Sequence, residues 1–236
     1  MRVLIPRGSW QPGQQLTLDE NESHHLRVRR ARDQESVELR DGAGLRGSGR
    51  LVQAGRQWLV EIRSVERQER PPEMMLAVAA GDRERFAWMV EKSVELGVTR
   101  IIPIETARSA GVASRLKDAH LARLRRAVLE AIKQCGATWA PSLDDPVSLG
   151  DLIRWPLAGI GWLADQAGAS APASLDREAL TVVIGPEGGL TDEERATVIA
   201  AGYRPVALGS HTLRFETAAL AAAAAATQAR MRGHHG

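Results

Sequence analysis

The chain has 236 residues, 44% of them hydrophobic and 25% charged, with a formal net charge of +2. That is enough apolar material for one large domain or two small ones, and too nearly neutral for a polycation that coats nucleic acid without discrimination. The single cysteine, Cys135, excludes an internal disulfide framework and a thiolate zinc site. No apolar run approaches the roughly 18 residues of a membrane span. The opening stretch from Met1 to Pro6 lacks the apolar core of a leader, so the expected compartment is the cytoplasm.

Residues 1–70 read as an all-β unit, a small barrel. Segments 16–18, 36–40 and 58–63 alternate apolar and polar residues as half-buried strands do, with a turn signal at Asp41-Gly42-Ala43-Gly44. This stretch holds 13 arginines against 10 acidic residues. His24 and His25 lead into Arg27, Arg29, Arg30 and Arg32, a run that fits either a solvated strand face or a track for RNA phosphates. Residues 66–72, polar and holding Pro71-Pro72, read as a linker.

Residues 73–236 change to strands alternating with helices, which implies an α/β fold with a mostly parallel sheet. A strand is expected at 74–79. Asp82 then caps a helix to Leu96, with Phe86, Met89, Val90 and Val94 at helical spacing and Gly97 ending it. Lys92 and Glu95 on it stand at ion-pair spacing. A strand at 100–104 and an amphipathic helix at 116–134 closed by Gly136 follow, with Cys135 read as a small buried residue. Further strands are expected at 158–163, 180–184 and 205–208, and helices at 192–201 and 216–230. The last of these contains an alanine run of high helix propensity. His234 and His235 read as a tail and not as a metal site.

Two loops carry glycines. The first runs Val182-Val183-Ile184-Gly185-Pro186-Glu187-Gly188-Gly189-Leu190-Thr191-Asp192-Glu193-Glu194: a buried strand, a turn, and a helix start with Thr191 and Glu194 at capping-box spacing. Gly188 and Gly189 permit positive φ and close approach of a ligand to the backbone. Free amides there can cradle an anion or bond a nucleoside, although residue types alone also fit a plain connector. The second runs Leu208-Gly209-Ser210-His211-Thr212-Leu213-Arg214-Phe215-Glu216-Thr217-Ala218. Both stand at the carboxyl ends of expected strands, the edge where open α/β sheets bind ligands. No Walker lysine or Gly-x-Gly-x-x-Gly follows a strand, which argues against a nucleotide-phosphate site.

The segments IGPEGGLTDEE and LGSHTLRFETAAL, together with GDRERFAWMVEKSVELGVTRIIP and more weakly HHLRVRR, resemble the SPOUT class of S-adenosylmethionine-dependent RNA methyltransferases. Within that class they resemble the ribosomal RNA small subunit methyltransferase E family, over nearly the whole chain. The resemblance implies a SPOUT-type parallel sheet with a carboxyl-terminal trefoil knot over 73–236, preceded by a PUA-like RNA-binding barrel over 1–70. It implies S-adenosyl-L-methionine as cofactor and methylation of N3 of one uridine in 16S rRNA of the small ribosomal subunit, uridine 1498 in the family's numbering. A homodimer, with neither metal nor membrane involved, is also implied.

Carried over residue by residue, the cofactor-binding positions are Leu163, Ile184, Gly185, Pro186, Glu187, Gly188, Gly189, Leu208, Gly209, Leu213, Thr217 and Ala218. Core packing competes as a reading of Ile184 and Leu208, a plain turn for Gly188, and an N-cap for Thr217. Uracil N3 carries a proton, so the enzyme must stabilise a developing anion or supply a base. Arg214 is the candidate for the first task. Glu216 would orient Arg214 or act as base, with helix-start electrostatics as the alternative. His211 reads as a surface loop residue. His25, Arg27, Arg29, Arg30, Arg83 and Lys92 are expected against RNA.

Three positions depart from the family pattern. Lys133-Gln134-Cys135-Gly136-Ala137 replaces Glu-Gln-Ser/Cys-Gly-Arg, Arg27-Val28-Arg29-Arg30 replaces Arg-Val-Leu-Arg one residue early, and Phe215 stands where threonine is common. Ala137 removes an arginine expected at RNA or the active site. A second function therefore stays open, an rRNA-binding assembly protein with impaired catalysis. The alanine run of the last helix fits packing on its own sheet or on a twin.

Overall fold

The structure, a computed structural model, describes residues 1–79, 81–109, 111, 116 and 118–233; His234 and His235 lie outside them. The chain divides into two compact units, Met1–Arg70 with Leu129–Ala140, and Pro71–Val128 with Pro141–Gly236.

The first unit contains β1 (Arg2–Leu4), β2 (Gln15–Thr17), α1 (Glu20–Val28), β3 (Ser36–Arg40), β4 (Leu45–Ala54) and β5 (Gln57–Arg67). Its strands form one sheet in the order β1-β3-β4-β5-β2, with β1 parallel to β3 and the other pairings antiparallel. Val3, Leu26, Leu39, Leu51, Val60 and Ile62 are fully buried in its core. The unit is not all-β. The segment holding His24, His25 and Arg27 is a helix, because the Asp19 carboxylate accepts the Glu22 amide at 2.8 Å and the acidic first turn and basic last turn suit the helix dipole. Leu26 is its one buried apolar residue and Val28 is exposed, so no hydrophobic period announced it. Arg30, at φ 54°, closes the helix in a Schellman pattern, with Arg30 N donating to Arg27 O and Ala31 N to Leu26 O, each at 3.0 Å. The expected linker also starts later, since β5 stays paired to β4 as far as Arg67. The register of β4 shifts between Ser48 and Gly49, where a Cβ on Gly47 would lie 2.2 Å from Ser64 O.

The second unit contains β6 (Met74–Val78), α2 (Arg83–Glu95), β7 (Arg100–Glu105), the first part of α3 (Asp118–Cys135), β8 (Ser142–Leu143), β9 (Val147–Ser148), α4 (Leu149–Leu152), β10 (Ile160–Ser170), β11 (Leu180–Ile184), α5 (Asp192–Ala200), β12 (Arg204–Ala207) and α6 (Phe215–Gly233). Its sheet runs β12-β10-β11-β6-β7-β8, with β9 paired to β7. Every pairing is parallel. Strands β6 and β11, side by side, are buried at each position, as strands covered on both faces must be. Asp82 caps α2 as expected, accepting from Glu84 N and Arg85 N at 3.0 Å.

The end of β10 and the start of α6 differ from the reading of the sequence. Strand β10 does not stop at Leu163; its pairing with β12 resumes at Ala169 after a register shift, so 165–168 leave the ladder as a bulge. Only glycine fits at 168, where a Cβ would come 2.3 Å from Pro205 C. Helix α6 begins at Phe215, so Thr217 lies in its first turn and is not its cap. Ala219, Ala222, Ala223 and Ala226 are fully buried by this chain alone. Small side chains let α6 lie close on α2, β6 and β11.

The end of α3 belongs to the first unit. There Lys133 Nζ bonds Glu22 Oε1 at 2.6 Å and Glu130 Oε2 at 2.7 Å, with the Lys133 and Glu22 side chains only 8% and 6% exposed. Arg2 donates to the carbonyls of Lys133 and Gln134 at 3.0 and 2.6 Å, satisfying groups that a helix end leaves open. Cys135, expected to be buried, is exposed at this terminus, since the inward face of the last turn is taken by Ala131 and Ile132. A buried pair costs most when one partner is removed. Lys133→Met should destabilise the chain by about 3 kcal/mol, and Glu22→Leu/Lys133→Met together by much less. Urea unfolding of both variants checks this.

Candidate functional site

Three segments at the carboxyl edge of the parallel sheet build the site. The turn after β11 is closed by Gly189 N donating to Pro186 O at 2.8 Å, with Gly189 at φ 70°, which a side chain would strain. It runs into α5 through a full capping box: Glu194 N donates to Thr191 Oγ1 at 3.1 Å and Thr191 N to Glu194 Oε2 at 2.9 Å. The loop after β12 carries residues 208–214 into α6. The bulge of β10 supplies Asp165 and Gln166. Gln166 links two of these segments, donating to Ser210 O at 3.2 Å and accepting from Thr212 Oγ1 at 3.3 Å.

Asp165 accepts from Arg195 Nε at 2.5 Å and from Ala167 N at 2.9 Å. Partial burial alone would raise its carboxyl, but these donors outweigh it and hold the group below its ordinary value. Its contribution to stability is thus present above the ordinary carboxyl range and lost as pH falls through the lowered value.

Together the segments enclose a cavity of about 290 Å³, near the lower end for small-molecule sites. Of the residues proposed for cofactor binding, Leu163, Ile184, Gly185, Pro186, Glu187, Gly189, Leu208, Gly209, Leu213 and Ala218 line it. Gly188 and Thr217 stand outside the lining; a Cβ on Gly188 would meet Arg108 Cδ at 3.4 Å. Arg214 is exposed between two lining residues, Leu213 and Phe215. Glu216 is 7% exposed in the first turn of α6. Its Oε1 lies 3.9 Å from Arg85 Nε, and its Oε2 is buried without a hydrogen-bond partner. An unfilled acceptor in so dry a place costs free energy until a donor arrives.

The residues proposed for RNA contact fall into both units. In the first, Arg27 is held by Glu20 at 2.6 Å and Arg56 O at 2.8 Å, Arg29 and Arg30 are exposed at the end of α1, and His25 is half-buried. In the second, Arg83 opens α2 and Lys92 bonds Glu91 and Glu95 at 3.0 and 2.8 Å. Among the described residues no group of three His, Cys, Asp or Glu is placed to hold a metal ion, and no helix is long and apolar enough to cross a membrane.

The sequence did not point to Asp165, Gln166, Leu190 or Arg195, all of which line the cavity. Asp165 and Gln166 face it because of a bulge that leaves no mark in the hydrophobic pattern. His211, read as a surface residue, is exposed and also on the lining. Phe215, the departure from threonine, is a fully buried wall of the cavity.

The cavity carries both glycine loops at once. The family model of an RNA methyltransferase domain matches residues 68–227. The ribosomal RNA small subunit methyltransferase E of Synechocystis is 32% identical over 215 residues, covering 86% of this chain and 69% of that protein. The chain belongs to this methyltransferase E family. Among solved structures, the methyltransferase E of Neisseria gonorrhoeae, bound to S-adenosyl methionine, superposes with a TM-score of 0.81 at 30% identity over 95% of each chain. A methyltransferase of Legionella pneumophila in complex with the same cofactor gives 0.82, also at 30%, over 94% of each. The Asp165–Arg195 contact in this methyltransferase E chain is open to a direct check. Arg195→Gln should move the Asp165 carboxyl up toward its ordinary value, as read by carbon-detected NMR titration; an unmoved titration would remove Arg195 as the cause.

Proposed function

We propose that the chain transfers a methyl group from S-adenosyl-L-methionine to N3 of one uridine in 16S rRNA of the small ribosomal subunit, the family's uridine 1498. The observation that carries this is the single cavity walled by both glycine loops, beside a buried carboxylate, Glu216, with an unfilled acceptor. The walls fit the donor: Ile184, Leu208 and Leu213 offer apolar surface, the glycines offer backbone to a nucleoside, and the Asp165–Arg195 pair offers both charges to a zwitterionic methionine tail.

When bound, the cofactor supplies an electrophilic methyl on a sulfonium. The chain's task is then to seat uracil N3 in line with that methyl and to dispose of the N3 proton. Glu216 Oε2, buried and without a hydrogen-bond partner, takes the proton in this reading. Arg214, exposed next to the cavity, holds the charge that develops on the uracil oxygens or an adjacent phosphate. Held between the two glycine loops, the cofactor would supply the methyl for N3 and a neutral thioether as leaving group.

The rest of the family picture belongs to the same proposal. The first unit is a PUA-like RNA-binding module whose exposed Arg29 and Arg30 meet phosphates, aided by His25, Arg27, Arg83 and Lys92. Helix α6 closes a trefoil knot, the working form is a homodimer, and the ribosomal substrate places the enzyme in the cytoplasm.

The test is methyl transfer from labelled S-adenosylmethionine to small ribosomal subunits lacking the modification, with the product base identified. N3-methyluridine at a single site is expected. Cofactor binding without transfer would favour the rRNA-binding assembly reading that Ala137 leaves open, and no cofactor binding would sink the proposal. Glu216→Gln and Arg214→Ala should each lower turnover about 100-fold while leaving cofactor affinity nearly unchanged; full turnover in either variant would take that residue out of the mechanism.

A further inference from the structure

The loop that follows β7 is absent from every role given so far, yet it holds the first glycine turn from outside. Its base is rigid. Thr106 and Ser109, both buried, are tied by Thr106 N donating to Ser109 Oγ at 3.0 Å and Ser109 N to Thr106 O at 3.1 Å. Between them, two groups reach across to the turn. The amide of Ala107 donates to Glu194 Oε1 at 2.7 Å, the same carboxylate whose Oε2 closes the Thr191 capping box. The Arg108 guanidinium donates through Nη1 to the carbonyls of Gly188 and Leu190. Its stem also passes under Gly188, where an added Cβ would sit 3.4 Å from Arg108 Cδ.

Those two carbonyls flank Gly189, and Gly189 and Leu190 both line the cavity. A turn with paired glycines has no side chains to define it and loses more backbone freedom on ordering than any other. Left free, that loss would fall on the binding step; a fixed cation across two carbonyls moves it to folding, as preorganisation does. We infer that Arg108 is a positioning residue for the cofactor: by gripping the carbonyls of Gly188 and Leu190 it sets the turn in its binding shape before the ligand arrives. This rests on the cavity being the S-adenosylmethionine site. Arg108 acts through the turn, so it influences the cofactor and not the chemistry.

The experiment uses the full chain and S-adenosylmethionine itself, with calorimetric binding and initial rates on ribosomal subunits. Arg108→Ala should weaken cofactor binding about tenfold, the scale of one lost charge-assisted bond. The KM for S-adenosylmethionine should rise in step, while kcat at saturating cofactor and KM for the subunit stay within about twofold. Arg108→Lys should recover part of the loss, because an ammonium can reach a carbonyl but is a more strongly hydrated charge on a more flexible stem. Equal thermal melting of the three proteins would tie the effect to the turn. Unchanged affinity in Arg108→Ala, or a rise only in the KM for the subunit, would overturn the inference while leaving the proposed function standing. A wild-type chain that fails to bind S-adenosylmethionine would overturn both.

Discussion

The second unit depends on β11 lying parallel between β10 and β6 with all of Leu180–Ile184 buried. Parallel strands must return through crossovers, so their carboxyl ends gather on one edge. The turn after β11, the loop after β12 and the bulge of β10 meet there because the chain has nowhere else to put them. No side chain in the strand itself is chemically special. Its burial makes the position of Gly185–Leu190 a matter of sheet geometry and not of loop preference.

Having fixed where the loops emerge, the fold still has to hold polar atoms in place around an apolar cavity. It does so with bonds between segments distant in sequence. Gln166 reaches Ser210 and Thr212, Arg195 reaches Asp165, Arg108 reaches the turn before α5 and Ala107 reaches Glu194 in the first turn of that helix. Each joins segments far apart in sequence, the arrangement a site needs to present groups at fixed spacing. Glu216 breaks the pattern. It is nearly as buried as the core but has one oxygen unfilled. Such a group persists when the packing around it gives it no way out to water, and the tight seating of the α6 alanines supplies that constraint.

The first unit solves a different problem. A single five-stranded sheet in so small a unit encloses little apolar volume, and the unit gains from α1 and from the end of α3. The joint between those helices is ionic, with Lys133 between Glu22 and Glu130, and it leaves Arg29 and Arg30 in solvent at the end of α1.

Where apolar periodicity and capping were strong, the sequence alone determined the structure. Met74–Val78, the Asp82-capped α2, Leu180–Ile184 and the Thr191–Glu194 capping box could be read residue by residue, and the paired glycine loops named the family. Helix α1 could not, because it buries one apolar side chain and is held by a cap and a Schellman turn; Asp19 with Glu22 three residues on was the only local hint. Nor could the bulge at 165–168 or the exposure of Cys135. These were decided by tertiary structure, since a register shift, a helix face or a contact such as Asp165–Arg195 depends on which strand lies alongside. Local composition records what each residue prefers, and only the assembled sheet records which residues are brought within reach of one another.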